Sequence, residues 1–215
     1  MALILSAEKA LIFRITHIAN VPWLLKHGLH CESAEMKDPA FVRIGNLELI
    51  LKRSSRRVPI SPGGVLADYI PFYFTPHSAM LFKIETGNGG IKQFHKSEIV
   101  FIVSDLHGLK EFGVTAIYTD SHAYPITAEY FSSLDNLDRI DWDILRNRDF
   151  KRDDENDPGK VGRYQAEALI HGHLPIAHVR GMVCFGENES RTLESHCEEA
   201  GVDLGIFSRP NWYFR

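Results

Sequence analysis

Residues 98–104 read Glu-Ile-Val-Phe-Ile-Val-Ser. Five apolar side chains in a row, four of them β-branched and one aromatic, are too few for a buried helix and match a buried strand. A second such strand covers Val114 to Thr119, after a connection of about ten residues ending at Gly113. Leu11 to Ile18 reads as the first strand of the chain. Ile70 to Thr75 is a short aromatic strand bounded by prolines, and apolar strands follow at Val179 to Phe185 and, at an edge, Ile206 to Phe214 with Trp212 as a core plug. Helices are expected after an Asn20 cap, through Trp23, Leu24 and Leu25 to Gly28, with Pro22 in the first turn. Others are expected at Met80 and Leu81, over residues 127–148, and from Glu187 to Ala200. Lys151 to Lys160 reads as a charged loop. The strands lack regular βαβ spacing and no GxGxxG follows one, which implies α+β rather than a Rossmann sheet. Residues 30–65 carry little regular pattern, and a polar connection of that length is more often functional or mobile.

The 215 residues are expected to form one domain, 1–215. The formal charge of -4 gives no overall attraction to nucleic acid, so such contact requires a local basic patch. One exists: Lys52, Arg53, Arg56 and Arg57. The Ala2–Leu5 run is too short for a signal segment, and no stretch approaches a membrane span. Three cysteines without a CxxC argue against a disulfide framework or a zinc site. A cytoplasmic protein without metal is the expectation.

Chemistry is signalled by Arg163-Tyr-Gln-Ala-Glu-Ala-Leu-Ile170, where Glu167 lies among apolar neighbours. A carboxylate there is costly to bury without a partner, so it is either solvated or present for function. Arg14 and Tyr73 are polar groups in two apolar strands upstream. An arginine or histidine, a hydroxyl residue and a late glutamate, in that order, is the pattern of enzymes that split NAD at its glycosidic bond. Each residue also has an ordinary reading: a face glutamate, a soluble basic loop, a core tyrosine, a turn histidine at His122. His171, His173 and His178 lack a completing ligand motif, and Asp120-Ser121-His122 lacks a GxSxG elbow.

Several segments together resemble the DarT family of DNA ADP-ribosylating toxins: Phe13-Arg-Ile-Thr-His-Ile18 with Asn20, Gly63 to Pro76 with Ser78 and Met80, Tyr118-Thr-Asp-Ser-His122, Tyr164-Gln-Ala-Glu-Ala-Leu169, and Trp212-Tyr213. The likeness runs from about residue 10 to the C-terminus. It implies an ADP-ribosyltransferase-like fold with a twisted, split, mostly antiparallel sheet flanked by helices. It also implies NAD+ consumed as co-substrate, thymine in single-stranded DNA as acceptor, and a macrodomain antitoxin as partner.

By the same resemblance Glu167 is the catalytic carboxylate and Arg53 the arginine of the active-site loop, holding the NAD pyrophosphate. Arg14 stands where some relatives have histidine. Arg14, Thr16, His17, Asn20 and Tyr73 would line the cofactor cleft, Tyr73 against nicotinamide. On a strand Arg14 and Thr16 share one face and His17 points away. Lys52, Arg56, Arg57 and His122 would meet DNA, with Tyr69, Phe72, Tyr73 and Phe74 offering stacking faces. Three other functions stay open: ADP-ribosylation of guanine, RNA or protein, plain NAD glycohydrolysis, and non-catalytic nucleic-acid binding.

Overall fold

The computed structural model describes residues 3–214; the short apolar run from Ala2 thus begins outside the described residues. Its centre is an eight-stranded sheet. The strands are β1 (Leu11–His17), β3 (Tyr69–Tyr73), β4 (Ile99–Asp105), β5 (Ala116–Thr119), β6 (Tyr130–Phe131), β7 (Glu167–His171), β9 (Gly181–Cys184) and β10 (Gly205–Ser208). Their order is β10-β9-β4-β1-β3-β7-β5-β6, and only the β10–β9 pair is parallel. A separate two-stranded ribbon pairs β2 (Leu29–His30) with β8 (His173–Leu174).

The sheet is split in the middle. β1 pairs with β4 over seven residues, but with β3 at Phe13 and Tyr73 alone. Pro71 supplies the reason. Its carbonyl faces β1 and accepts from Arg14 Nη1 at 2.9 Å, so the N–H a neighbour would have used is the one proline lacks. β3 instead pairs with β7 over its full length, placing Tyr73 opposite Glu167. A cleft opens where β1 and β3 part.

Apolar alternation packs both faces. Ile12, Phe13, Ile70, Phe72, Phe101, Ala168 and Ile170 belong to the largest buried cluster. Trp212 plugs it, edge-on to Phe13 and Phe101 at 5.3 and 5.5 Å. Burying one such aromatic contributes about 3 kcal/mol. Over β4 and β9 lies a second cluster, formed with helices α1 (Val21–His27) and α7 (Glu187–Ala200) through Val21, Leu25, Leu193 and Cys197. The other helices are α2 (Leu47–Arg53), α3 (Ala79–Thr86), α4 (Leu106–Glu111), α5 (Trp142–Asn147) and α6 (Lys160–Arg163).

Four expectations change. Residues 127–148 are not one helix: β6, a 3₁₀ turn at Leu134–Arg139 and α5 share the segment. The Ser133 and Asp141 side chains accept from Asp135 N and Ile144 N, so these short polar groups start new turns instead of continuing one. The long connection after residue 30 contains α2, started by Asn46 accepting from Leu49 N. Asn20 precedes α1 without capping it, because its amide is engaged elsewhere. The last strand stops at Ser208, and Pro210 opens a 3₁₀ turn through Trp212. Gly28 does end α1, at φ 74°, where a Cβ would lie 2.6 Å from the Leu174 carbonyl.

Candidate active site

Glu167 opens β7 and is 2% exposed. Its backbone N–H donates to Thr119 Oγ1 at 3.2 Å, fixing the strand at the point where β5 ends. The carboxylate receives Arg53 Nη1 at 2.9 and 3.2 Å on its two oxygens. Ala123 N donates to Oε1 at 3.1 Å, and His122 Nε2 lies 3.6 Å from the same oxygen. A buried carboxylate thus holds one guanidinium and one backbone amide, which repay its desolvation. Arg53 reaches it from the C-terminal end of α2, bridging 114 residues of chain.

Around this pair the polar groups converge. Arg14, Thr16, Tyr73, Arg53, His122 and Glu167 all line one cleft of about 260 Å³, running from Glu167 past the split to Trp23 and His30. Burial draws the Arg14 guanidinium down to about 10, helped by the nearby Arg53 charge; it stays cationic at neutral pH. Burial and the Glu167 charge push the Tyr73 hydroxyl up, so it remains a neutral donor. Burial also lowers His122, against the pull of Glu167 and with a smaller push from Arg53, which favours neutral imidazole. The Glu167 end of the cleft therefore brings together two guanidinium groups, a carboxylate, a phenol and an imidazole.

Arg53 Nη2 is buried and has no hydrogen-bond partner among the described residues. An orphan guanidinium donor in a cleft suits an anionic oxygen of a ligand, so the donor set fits a dinucleotide diphosphate.

Other expected residues lie elsewhere. His17 is outside the cleft lining; its ring meets Glu98 Oε1 at 3.4 Å and Phe94 edge-on. Asn20 is outside it too, with its amide bound to Thr16 and Val42. Lys52 is exposed and pairs with Glu48 at 2.6 Å along α2. Arg57 is exposed, and its backbone bridges to Val65. Arg56 Nη2 donates to Pro125 O at 3.2 Å, which ties it to the loop that carries His122. Phe72 and Phe74 are fully buried and Tyr69 nearly so, leaving them no free ring face for a base; core packing claims them. Ala123 and Thr119 escaped the sequence reading because a backbone amide and a structural hydroxyl carry no local signal. Glu32, Arg43 and Ile44, which also line the cleft, come from the stretch that looked patternless.

Among the described residues no three His, Cys, Asp or Glu side chains gather into a metal-binding group. No helix there is long and apolar enough to cross a membrane.

Comparison with known proteins adds three findings. A relative from Escherichia coli O127:H6 (strain E2348/69 / EPEC), described as a DNA ADP-ribosyl transferase, is 46% identical over 98% of this chain and 96% of its own. The structure of Thermus sp. 2.9 DarT in complex with ADP-ribosylated ssDNA superposes with a TM-score of 0.89 at 25% identity, covering 100% of both chains. The same protein in complex with NAD+ gives 0.83 over 96% of this chain and 98% of that one. The fold is thus that of the DarT ADP-ribosyltransferases. The family model described as "ssDNA thymidine ADP-ribosyltransferase, DarT" matches residues 13–214, and the chain belongs to that family.

Proposed function

We infer that this protein transfers ADP-ribose from NAD+ to thymine in single-stranded DNA, releasing nicotinamide, and that Glu167 is its catalytic carboxylate. The single observation that carries the residue assignment is the buried Glu167 carboxylate, held by Arg53 and the Ala123 amide in the wall of the cleft. Cleavage breaks the bond between nicotinamide nitrogen and ribose carbon. The electron pair leaves with nicotinamide, and positive charge develops on the sugar. A carboxylate accepting from the ribose 2′-hydroxyl stabilises that charge, and the effect is strong where water is excluded. Arg14 and Arg53 are suited to the diphosphate. Tyr73, opposite Glu167, is suited to the nicotinamide.

The acceptor nitrogen of thymine must lose a proton as it bonds to the sugar. Neutral His122, 3.6 Å from Glu167, gives that proton a route away from the base, and Glu167 is its other acceptor. An acceptor base inside a duplex is out of reach, so unpaired strands are the substrate. Arg57 and Lys52, exposed and flanking Arg53 in the sequence, supply phosphate contacts, and Arg56 serves the loop at Pro125 instead. The whole chain acts as one catalytic domain, in the cytoplasm, with a macrodomain antitoxin as its partner. The family resemblance supports the partner.

The test is incubation with labelled NAD+ and short oligonucleotides. Label on thymine-containing single strands is expected. Free ADP-ribose alone would replace the reading with glycohydrolysis, and label on guanine, RNA or protein would replace the acceptor.

A further inference from the structure

The strip from residue 31 to residue 46 forms one side of the cleft, to which it contributes Met36, Phe41, Arg43 and Ile44. It contains no helix or strand. Its internal bonds are local: Phe41 N and Ala40 N to Asp38, and a bidentate Arg43–Glu32 pair at 2.8 and 2.9 Å. Among the described residues, the hydrogen bonds that tie residues 35–45 to anything beyond the strip are two, and both run to Asn20. Asn20 Oδ1 accepts from Val42 N at 2.8 Å, and Nδ2 donates to Val42 O at 3.0 Å. The second Nδ2 hydrogen goes to Thr16 Oγ1 at 3.1 Å. The side chain is 1% exposed, so both its N–H groups and its oxygen are spent internally. One amide therefore does for Val42 what a neighbouring strand would do, and anchors it to β1.

We propose that Asn20 is a positioning residue: it latches the 35–45 strip over the cleft as the roof that receives NAD+, without touching the dinucleotide itself. The proposal rests on the reading of the cleft as the NAD+ site. Val42 and Ile44 pack against the edge of the core, but a strip with few hydrogen-bonded ties opens locally at low cost, and loss of the Asn20 tie raises the open population. An open roof taxes binding of NAD+ and leaves the bond-breaking groups on β3, β7 and α2 in place.

Limited proteolysis and kinetics separate the two claims. Trypsin can cut after Lys37 and Arg43, both exposed on the strip. Without NAD+, and in a Glu167→Gln background that permits expression, Asn20→Ala is expected to speed these cuts at least about tenfold. Val42→Pro, which removes the roof's own N–H and leaves the β1 side intact, should do the same. Added NAD+ should slow the cuts in the parent protein. In the active background, Asn20→Ala should raise KM for NAD+ about tenfold with kcat within about twofold and KM for the oligonucleotide unchanged. Unchanged cutting with a raised KM overturns the latch and makes Asn20 a direct NAD+ contact. Faster cutting with unchanged KM keeps the anchor and removes NAD+ from beneath the strip. Thermal unfolding of Val42→Pro at the parent's midpoint distinguishes local release from general misfolding; cutting throughout the chain in both variants counts against the proposal.

Discussion

The side chains of Glu167 and Glu85 are both almost wholly shielded from solvent, and their surroundings differ. Glu167 accepts from a guanidinium on both oxygens and from the Ala123 amide, with an imidazole alongside. Among the described residues Glu85, on α3, accepts only from Phe214 N, at 3.1 Å on Oε2, from which Lys96 Nζ stands 4.0 Å away, and its Oε1 has no partner. Burial pushes the Glu85 carboxyl up to about 7, against the pull of Lys96 and the Phe214 amide. Lys96 itself donates to the Phe214 carbonyl. One site gathers donors around a charge in a cleft, the other clamps the C-terminal segment onto a helix. Burial of a carboxylate is therefore no mark of catalysis. A set of converging donors in a place a ligand can reach is.

The contrast breaks most directly at Glu167. Glu167→Gln keeps the shape and removes the charge, and transfer to single-stranded DNA is expected to fall by about 10³-fold or more with the fold retained by circular dichroism. Residual turnover within tenfold of the parent would move the catalytic role elsewhere. Arg53→Ala should come next. It strips the buried carboxylate of its cation, at a cost of about 3–5 kcal/mol in stability, and weakens NAD+ use. Measured loss confined to DNA affinity would reassign Arg53 to the nucleic-acid backbone.

His122 sharpens the comparison through pH. Its pKa lies below the ordinary histidine value, so the neutral form persists as pH falls through 6.5. The rate of transfer should hold from pH 7.5 into the mid-sixes and decline only below, and His122→Gln should flatten that decline. A fall beginning above pH 7 would contradict the neutral assignment.

At Glu85 the sign is opposite and the readout is stability. The folded value is raised above the ordinary 4.5, so its stabilising contribution is complete below that value and lost as pH rises through about 7. Glu85→Gln is expected to leave transfer within about twofold and to flatten the drop in Tm between pH 5 and 8. An equal drop in the variant would remove the assignment.

The smallest effect is expected at Arg57, which is exposed four residues after Arg53. Arg57→Ala should weaken oligonucleotide binding and reduce the slope against log salt by about 0.7, one single-strand phosphate's worth. An unchanged slope would take this side chain off the DNA path.

Much of the frame was legible along the chain. The runs 11–18, 70–75 and 99–103 declare strands because β-branched and aromatic side chains fill a short span. Helix α7 declares itself by spacing, from Glu187 to Ala200. Two segments escaped the reading: α2 is only seven residues long and leaves Leu47 and Leu51 exposed instead of packing them, and 127–148 breaks at Ser133 and Asp141. The site divides the same way. Glu167, Tyr73 and Arg14 stand out as polar groups in apolar strands. Nothing local says that Asn20 binds a backbone 22 residues away, or that Arg56 reaches Pro125.

By itself the chain determined several of its strands, though not β2, β6, β7 or β8, together with its α+β class and the identity of its chemically capable side chains, because those depend on local alternation and on the cost of an ionised group among apolar neighbours. Only the tertiary structure decided which of them meet. Arg53 and Glu167 are 114 residues apart in sequence and 2.9 Å apart in space. That distance follows from the antiparallel order of β3, β7 and β5 and from the reach of Arg53 off the C-terminal end of α2. Long-range pairing of this kind is set by the whole sheet at once, and no window of residues contains it.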